Sequence, residues 1–263
     1  MDKVEKIAVF ADEFKLFSLP AIASWVKECV ELIPDYFFKI GASSSGKHHP
    51  VWSLGQGGLV RHTKAGFYLV IRFARDFNLN QVETDICKAA ILLHDSFKYG
   101  IDFDKRYFDM HSYLPRVMFK NVLGPSGDYV SAREEIFRAI ESHMGNMYGE
   151  WCPLPYVKPQ SKLQYVVHLA DYMAADKNYT PEMFRDVNRE MSNADKAVQI
   201  LEDWFIDDFC TMYMNHFEAS RPGSLPEDIR ELIRNDWVAK CDNIDHAFRT
   251  LKEQTERLCL KNV

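Results

Sequence analysis

Residues 91–98, Ile-Leu-Leu-His-Asp-Ser-Phe-Lys, carry an apolar run directly into a histidine, an aspartate and, one turn later, a lysine. The run extends back through Ala90, Ala89 and Ile86 at helical spacing, so it reads as a buried helix that ends in ionisable groups. A carboxylate or imidazole buried without a partner is unfavourable, so these side chains require compensation from elsewhere in the chain.

Three other polar groups lie in comparable surroundings. His62 falls within "GGLVRHTKAGFYLV", His143 closes "EEIFRAIESH", and Asp171 interrupts "LQYVVHLADYMAA". Each is on the inward face of its own helical segment. A shared metal ion compensates four such positions better than scattered hydrogen bonds do. His94 and Asp95 diverge by about 100° around a helix. They can share one ion only at a place that other helices also reach, and His62 and Asp171 are the candidates to complete it.

Helical periodicity runs through most of the 263 residues and predicts an all-α fold. Besides the segments around His62 and His94, helices are expected at about 4–17, 20–38, 110–122, 130–143, 160–176, 181–217 and 226–260. Turn signals such as Pro34, "GASSSGKHHP", "GPSGD", "CPLPYVKP" and "SRPGSLP" separate them. No internal repeat is present. Trp204, Phe205, Phe209, Tyr213 and Phe217 recur at helical spacing in the C-terminal third, as core packing or as the face of a homodimer.

With 47% apolar residues the chain can bury a sizeable core. Six scattered cysteines with no Cys-x-x-Cys, and an N-terminus unlike a signal peptide, lead to the expectation of a reducing, cytoplasmic setting. No apolar run approaches the roughly 18 residues of a membrane span, and no membrane partner is expected. The net charge of −6 is unevenly placed. Residues 43–120 hold 11 Lys/Arg against 7 Asp/Glu and residues 181–263 hold 11 against 17, which suits a small anionic ligand near the middle better than a long nucleic-acid track.

The order His62, His94-Asp95, Asp171 resembles the HD superfamily of metal-dependent phosphohydrolases. "HDSFK" has the family's His-Asp-x-x-Lys form, and "GGLVRHT", "ESHMG" and "HLADYMAA" are similar to the segments around its other site residues. The resemblance spans roughly residues 46–176. It implies an all-α HD-domain helical bundle, laid out as an N-terminal helical segment (1–45), the HD core (46–180) and a C-terminal helical extension (181–263) packed on that core.

His111 and His143 fall where two-metal members of the superfamily carry two extra histidines. By that resemblance His62, His94, Asp95 and Asp171 hold one ion, His111 and His143 hold a second, and Asp95 bridges. A single-metal site is the alternative. Imidazole and carboxylate without thiolate suit Mn, Fe, Ni, Co or Zn better than Mg. His168, one turn before Asp171, is a candidate to orient that aspartate.

The implied activity is hydrolysis of a phosphoester in a nucleotide or a short or cyclic oligonucleotide by a metal-activated water. Lys98 would neutralise phosphoryl oxygens. Lys47 and His48 in "SSSGKHHP", together with Arg61, are candidate phosphate contacts, although that loop is no P-loop. Two other readings stand beside this one. A 3′→5′ exoribonuclease-like enzyme would act on RNA ends, and a nucleotide-sensing module would bind without turnover.

Overall fold

The computed structural model describes residues 1–43, 49–101, 111–124, 131–145 and 157–185. Among these residues the fold is all-α, with eight α-helices and no strand. The helices are α1 (Lys3–Val9), α2 (Ala11–Phe14), α3 (Pro20–Leu32), α4 (Gly58–Asp76), α5 (Gln81–Leu93), α6 (Leu114–Phe119), α7 (Ala132–Glu141) and α8 (Lys162–Ala174). Apart from a 3-10 turn at Glu182–Phe184, the helices expected beyond residue 181 and the aromatic face at 204–217 lie outside the described residues. None of the described helices is long and apolar enough to cross a membrane.

Three helices begin on a reciprocal cap that is legible in the sequence. Asp2 with Glu5, Asn80 with Glu83 and Ser161 with Gln164 each exchange side-chain and backbone bonds across the first turn of α1, α5 and α8. The helix expected at 4–17 breaks at Phe10, whose ring is fully buried against Phe37 and Phe38. The helix expected at 20–38 stops at Leu32, because Ile33 precedes Pro34 and takes extended backbone (φ −62°, ψ 132°). The one expected at 110–122 shortens to α6, where Pro115 sits in the first turn, a place that does not need its missing N–H.

By its internal contacts the chain divides into two compact units, one of Met1–Phe38 with Val60–Tyr179, the other of Lys39–Leu59 with Thr180–Val263. In the second, the Ala42 N–H donates to Ser53 O (2.9 Å), the Leu59 N–H donates to Ile40 O (2.9 Å), and Trp52 stacks on Phe184.

The first unit is built around α5. Ala89 through Leu93 are fully buried, as expected of a helix that is apolar all round. It packs against α3, α7 and α8, and α7 in turn packs on α8. The α4 helix reaches α5 at Gly66, where an added Cβ would stand 2.8 Å from Ile91 Cγ1. The missing methyl therefore brings the helix of His62 up to the helix that leads into His94.

A buried ion pair fastens the N-terminal helices to this centre. Asp85, fully buried, accepts from the Ser18 and Leu19 N–H groups at the start of α3 (2.8 and 2.7 Å) and from Lys88 Nζ (2.9 Å). Lys88 also donates to Leu16 O (2.6 Å). Every group in the set has a partner, so removing one leaves the others buried and uncompensated. Asp85→Ala is expected to lower stability by about 3–5 kcal/mol, measured by urea unfolding.

Candidate metal centre

His94 and His143 are placed by the same local device. Each follows an amphipathic or apolar helix at its C-terminus, His94 as the C-cap of α5 and His143 two residues past the end of α7. His94 Nδ1–H donates to Ile91 O (2.7 Å), and His143 Nδ1–H donates to Ile140 O (2.6 Å). A carbonyl only accepts, so both rings carry a proton on Nδ1 and turn Nε2 inward. Serines complete the helix ends: Ser96 Oγ donates to Leu93 O (2.8 Å), and Ser142 Oγ donates to Arg138 O (3.0 Å). Two helix C-termini, each with a partial negative charge, therefore meet at the cluster and favour a cation there.

The sequence predicts a buried helix that ends in His94 and Asp95. The helix instead ends at Leu93, and residues 94–99 form successive tight turns. Lys98 N–H donates to Asp95 O (3.1 Å), and Lys98 Nζ donates to Asp95 Oδ2 (2.7 Å). The far end of this turn is pinned by Tyr36, whose hydroxyl donates to Gly100 O (2.6 Å) and accepts from the Tyr99 N–H (3.2 Å).

The other helices bring the remaining side chains to these two imidazoles. From α4, His62 Nε2 lies 2.9 Å from Asp171 Oδ1, and His94 Nε2 lies 3.4 Å from the same oxygen. His94 Nε2 is also 3.5 Å from Asp95 Oδ2. On the other side, Asp95 Oδ1 is 3.3 Å from His111 Nε2 and 3.8 Å from His143 Nε2, and those two nitrogens are 3.2 Å apart. Atoms sharing one ion at about 2.1 Å stand roughly 3–4 Å from one another, which is the spacing seen here. Two sets of possible ligands emerge, His62 with His94 and Asp171, and His94 with Asp95 and His143.

Burial and charge make the site costly without a cation. His62, His94, Asp95, His111 and His143 are all at most 2% exposed, and Asp171 is 18% exposed at its side chain. Neither His94 Nε2 nor Asp95 Oδ1 has a hydrogen-bond partner despite being buried. Burial acts to raise the Asp95 carboxyl, but Lys98 and the histidines around it prevail and hold it well below the usual carboxylate range. Burial also opposes ionisation of Asp171, and the His62 bond together with the nearby His94 ring outweighs it and holds the carboxyl well below the usual range. His143 is pushed down to about 3 by burial and by His94, which leaves its ring neutral. Ionised carboxylates, a neutral imidazole and orphaned acceptor atoms together fit a divalent metal.

All six residues expected as ligands are thus brought together, with Lys98 beside them. Arg61 stands half-buried next to His62 on α4, turned about 100° from it by the helix. Lys47 and His48 lie outside the described residues. His168 is placed differently from the expectation. Its Nδ1–H donates to the backbone carbonyl of His143 (2.6 Å), so it braces that histidine and not Asp171.

Gly145 makes this brace fit and was not singled out from the sequence. Its φ is +60°, and an added Cβ would lie 2.5 Å from His168 Cε1. A glycine shortly past a helix end is the signal for a left-handed backbone position there.

The family model of the HD domain matches residues 59–176, somewhat under half of the chain. All six candidate ligands fall within the match. Neither the curated proteins nor the solved structures compared with the chain give a significant match. HD domains are in general metal-dependent hydrolases that bind divalent metals, and the grouped histidines and aspartates are of a kind that could hold one.

Gly145→Ala should force both the left-handed backbone and the His168 ring to give way. The expected result is a loss of roughly 1–3 kcal/mol in stability, together with weaker metal binding through the displaced His143, measured by thermal melting and metal titration.

Proposed function

We propose that this centre is the active site of a phosphohydrolase that cleaves a phosphoester in a nucleotide or a short or cyclic oligonucleotide, with one or two divalent transition-metal ions as cofactor. The observation that carries this reading is the way Asp95 divides its carboxylate. Oδ2 faces Lys98 at 2.7 Å and His94 at 3.5 Å, and Oδ1 faces His111 at 3.3 Å and His143 at 3.8 Å. One oxygen for each half is the disposition a bridging ligand needs. His62, His94, Asp95 and Asp171 would hold the first ion, and His111 and His143 the second. Bound there, such ions supply positive field for phosphoryl oxygens and a water acidified toward neutrality.

The chain's own contribution is to hold charge in a place nearly free of solvent. Lys98 is 8% exposed and tethered to Asp95, so its ammonium stands at the edge of the cluster. A phosphoryl oxygen seated beside Asp95 would meet that charge with little screening, and more strongly as negative charge moves to the leaving group. Among the described residues the donor set contains imidazole and carboxylate without thiolate, and the buried Cys29 and Cys87 belong to neither ligand group. That favours Mn, Fe, Ni, Co or Zn over Mg or Ca. Arg61, Lys47 and His48 are the candidates for holding the rest of the phosphate. The mildly basic middle of the chain supports an anionic ligand of small size.

The test is elemental analysis of the purified protein, joined to product analysis over nucleotides, cyclic nucleotides and short RNA. Asp95→Ala is expected to lose both bound metal and turnover. Lys98→Ala is expected to keep its metal and lose about 10²–10³ in kcat, as for other positioned cations and donors at developing charge. Metal-loaded wild-type protein that cleaves neither phosphomonoesters nor phosphodiesters would overturn the proposal.

A further inference from the structure

His111 reaches the centre from the turn that leads into α6, a helix six residues long and too short to be stable alone. Something outside α6 must fix it. Phe119 packs on Phe97 with ring centroids 5.4 Å apart and holds the far end. The near end is held by Arg116.

The guanidinium of Arg116 is gripped by two carboxylates of α7. Nε and Nη2 donate to Glu141 Oε1 and Oε2 (2.5 and 3.0 Å), and Nη1 and Nη2 donate to Glu134 Oε2 and Oε1 (2.7 and 3.1 Å). Its plane lies over Phe137, 5.1 Å from the ring centroid. Glu134, Phe137 and Glu141 are spaced i, i+3, i+7, so a single stripe of α7 makes the whole receptacle. Isolated surface ion pairs contribute little, but a planar fork engaged on both carboxylates and stacked on an aromatic ring is the exception. Glu141 is the more sheltered half, with 13% side-chain exposure against 49% for Glu134.

The position of this clamp in the sequence gives it a consequence. Arg116 is five residues after His111, and Glu141 is two residues before His143. We infer that Arg116 is a positioning residue that sets His111 against His143, and so determines whether the second half of the centre holds an ion. The inference rests on the two-ion form of the proposed function. His62, His94 and Asp171 come from α4, α5 and α8 and do not depend on α6, so the first ion should be indifferent to the clamp.

Cobalt(II) titration of the metal-free full-length protein, followed by visible absorption and by equilibrium dialysis, reads the two halves separately. Wild type is expected to take two equivalents. Arg116→Gln should keep the first at unchanged affinity and weaken the second by about 10–100-fold, the usual range for a partner behind a ligand. Arg116→Lys retains charge without the fork and should fall between. Circular dichroism and thermal melting of the cobalt-free variants report on folding. Should Arg116→Gln fail to fold, Glu134→Gln keeps the Glu141 half of the clamp and is expected to weaken only the second ion, by several-fold.

An unchanged second affinity in the folded variant overturns the inference, as does parallel loss of both ions, which would make the clamp a general brace. Wild type binding a single equivalent also overturns it while leaving a one-metal hydrolase intact. Wild type binding none removes the proposed function as well.

Discussion

The centre depends on two imidazoles that donate backward into the helices they terminate. Because Nδ1–H of His94 and of His143 is spent on a carbonyl three residues earlier, each Nε2 must point forward, and the tautomer follows with no further partner. At the end of α5 the same bond satisfies the Ile91 carbonyl, and past α7 it joins the His143 N–H on the Ile140 carbonyl. Helix termination and ligand orientation are thus one structural event, performed twice, and the two negative helix ends meet where a cation is needed.

The rest of the first unit brings other groups to those two points. Gly66 lets α4 approach α5 closely enough for His62 to reach Asp171, and α8 supplies both Asp171 and the His168 brace behind His143. Tyr36 closes the turn that carries Lys98. Asp85 and Lys88 tie the start of α3 to α5, which keeps the scaffold under the turn from moving. Gly66, His168, Tyr36, Asp85 and Lys88 thus act on the centre through the backbone of the segments that carry it.

Much of this was legible in the sequence because it rests on local rules. Polar residues interrupting apolar helical faces identified His62, His94, His143 and Asp171. The limits were set by chain direction and side-chain reach. The partner of His168 could not be read from its spacing to Asp171, since its bond goes to a backbone carbonyl 25 residues away, just past the end of another helix. The end of α5 at Leu93 was hidden because His94 and Asp95 continue in helix-like turns, and only hydrogen bonds tell the two apart. Arg116 looked like any surface arginine, because its significance lies in two carboxylates that are 18 and 25 residues distant.

Asp171 is the most exposed of the six residues at 18%, while the others are almost sealed. In the proposed assignment Asp171 is therefore the ligand that water reaches most readily, so its carboxylate is the one that exchanges hydration for metal, whereas the other five exchange one buried partner for another.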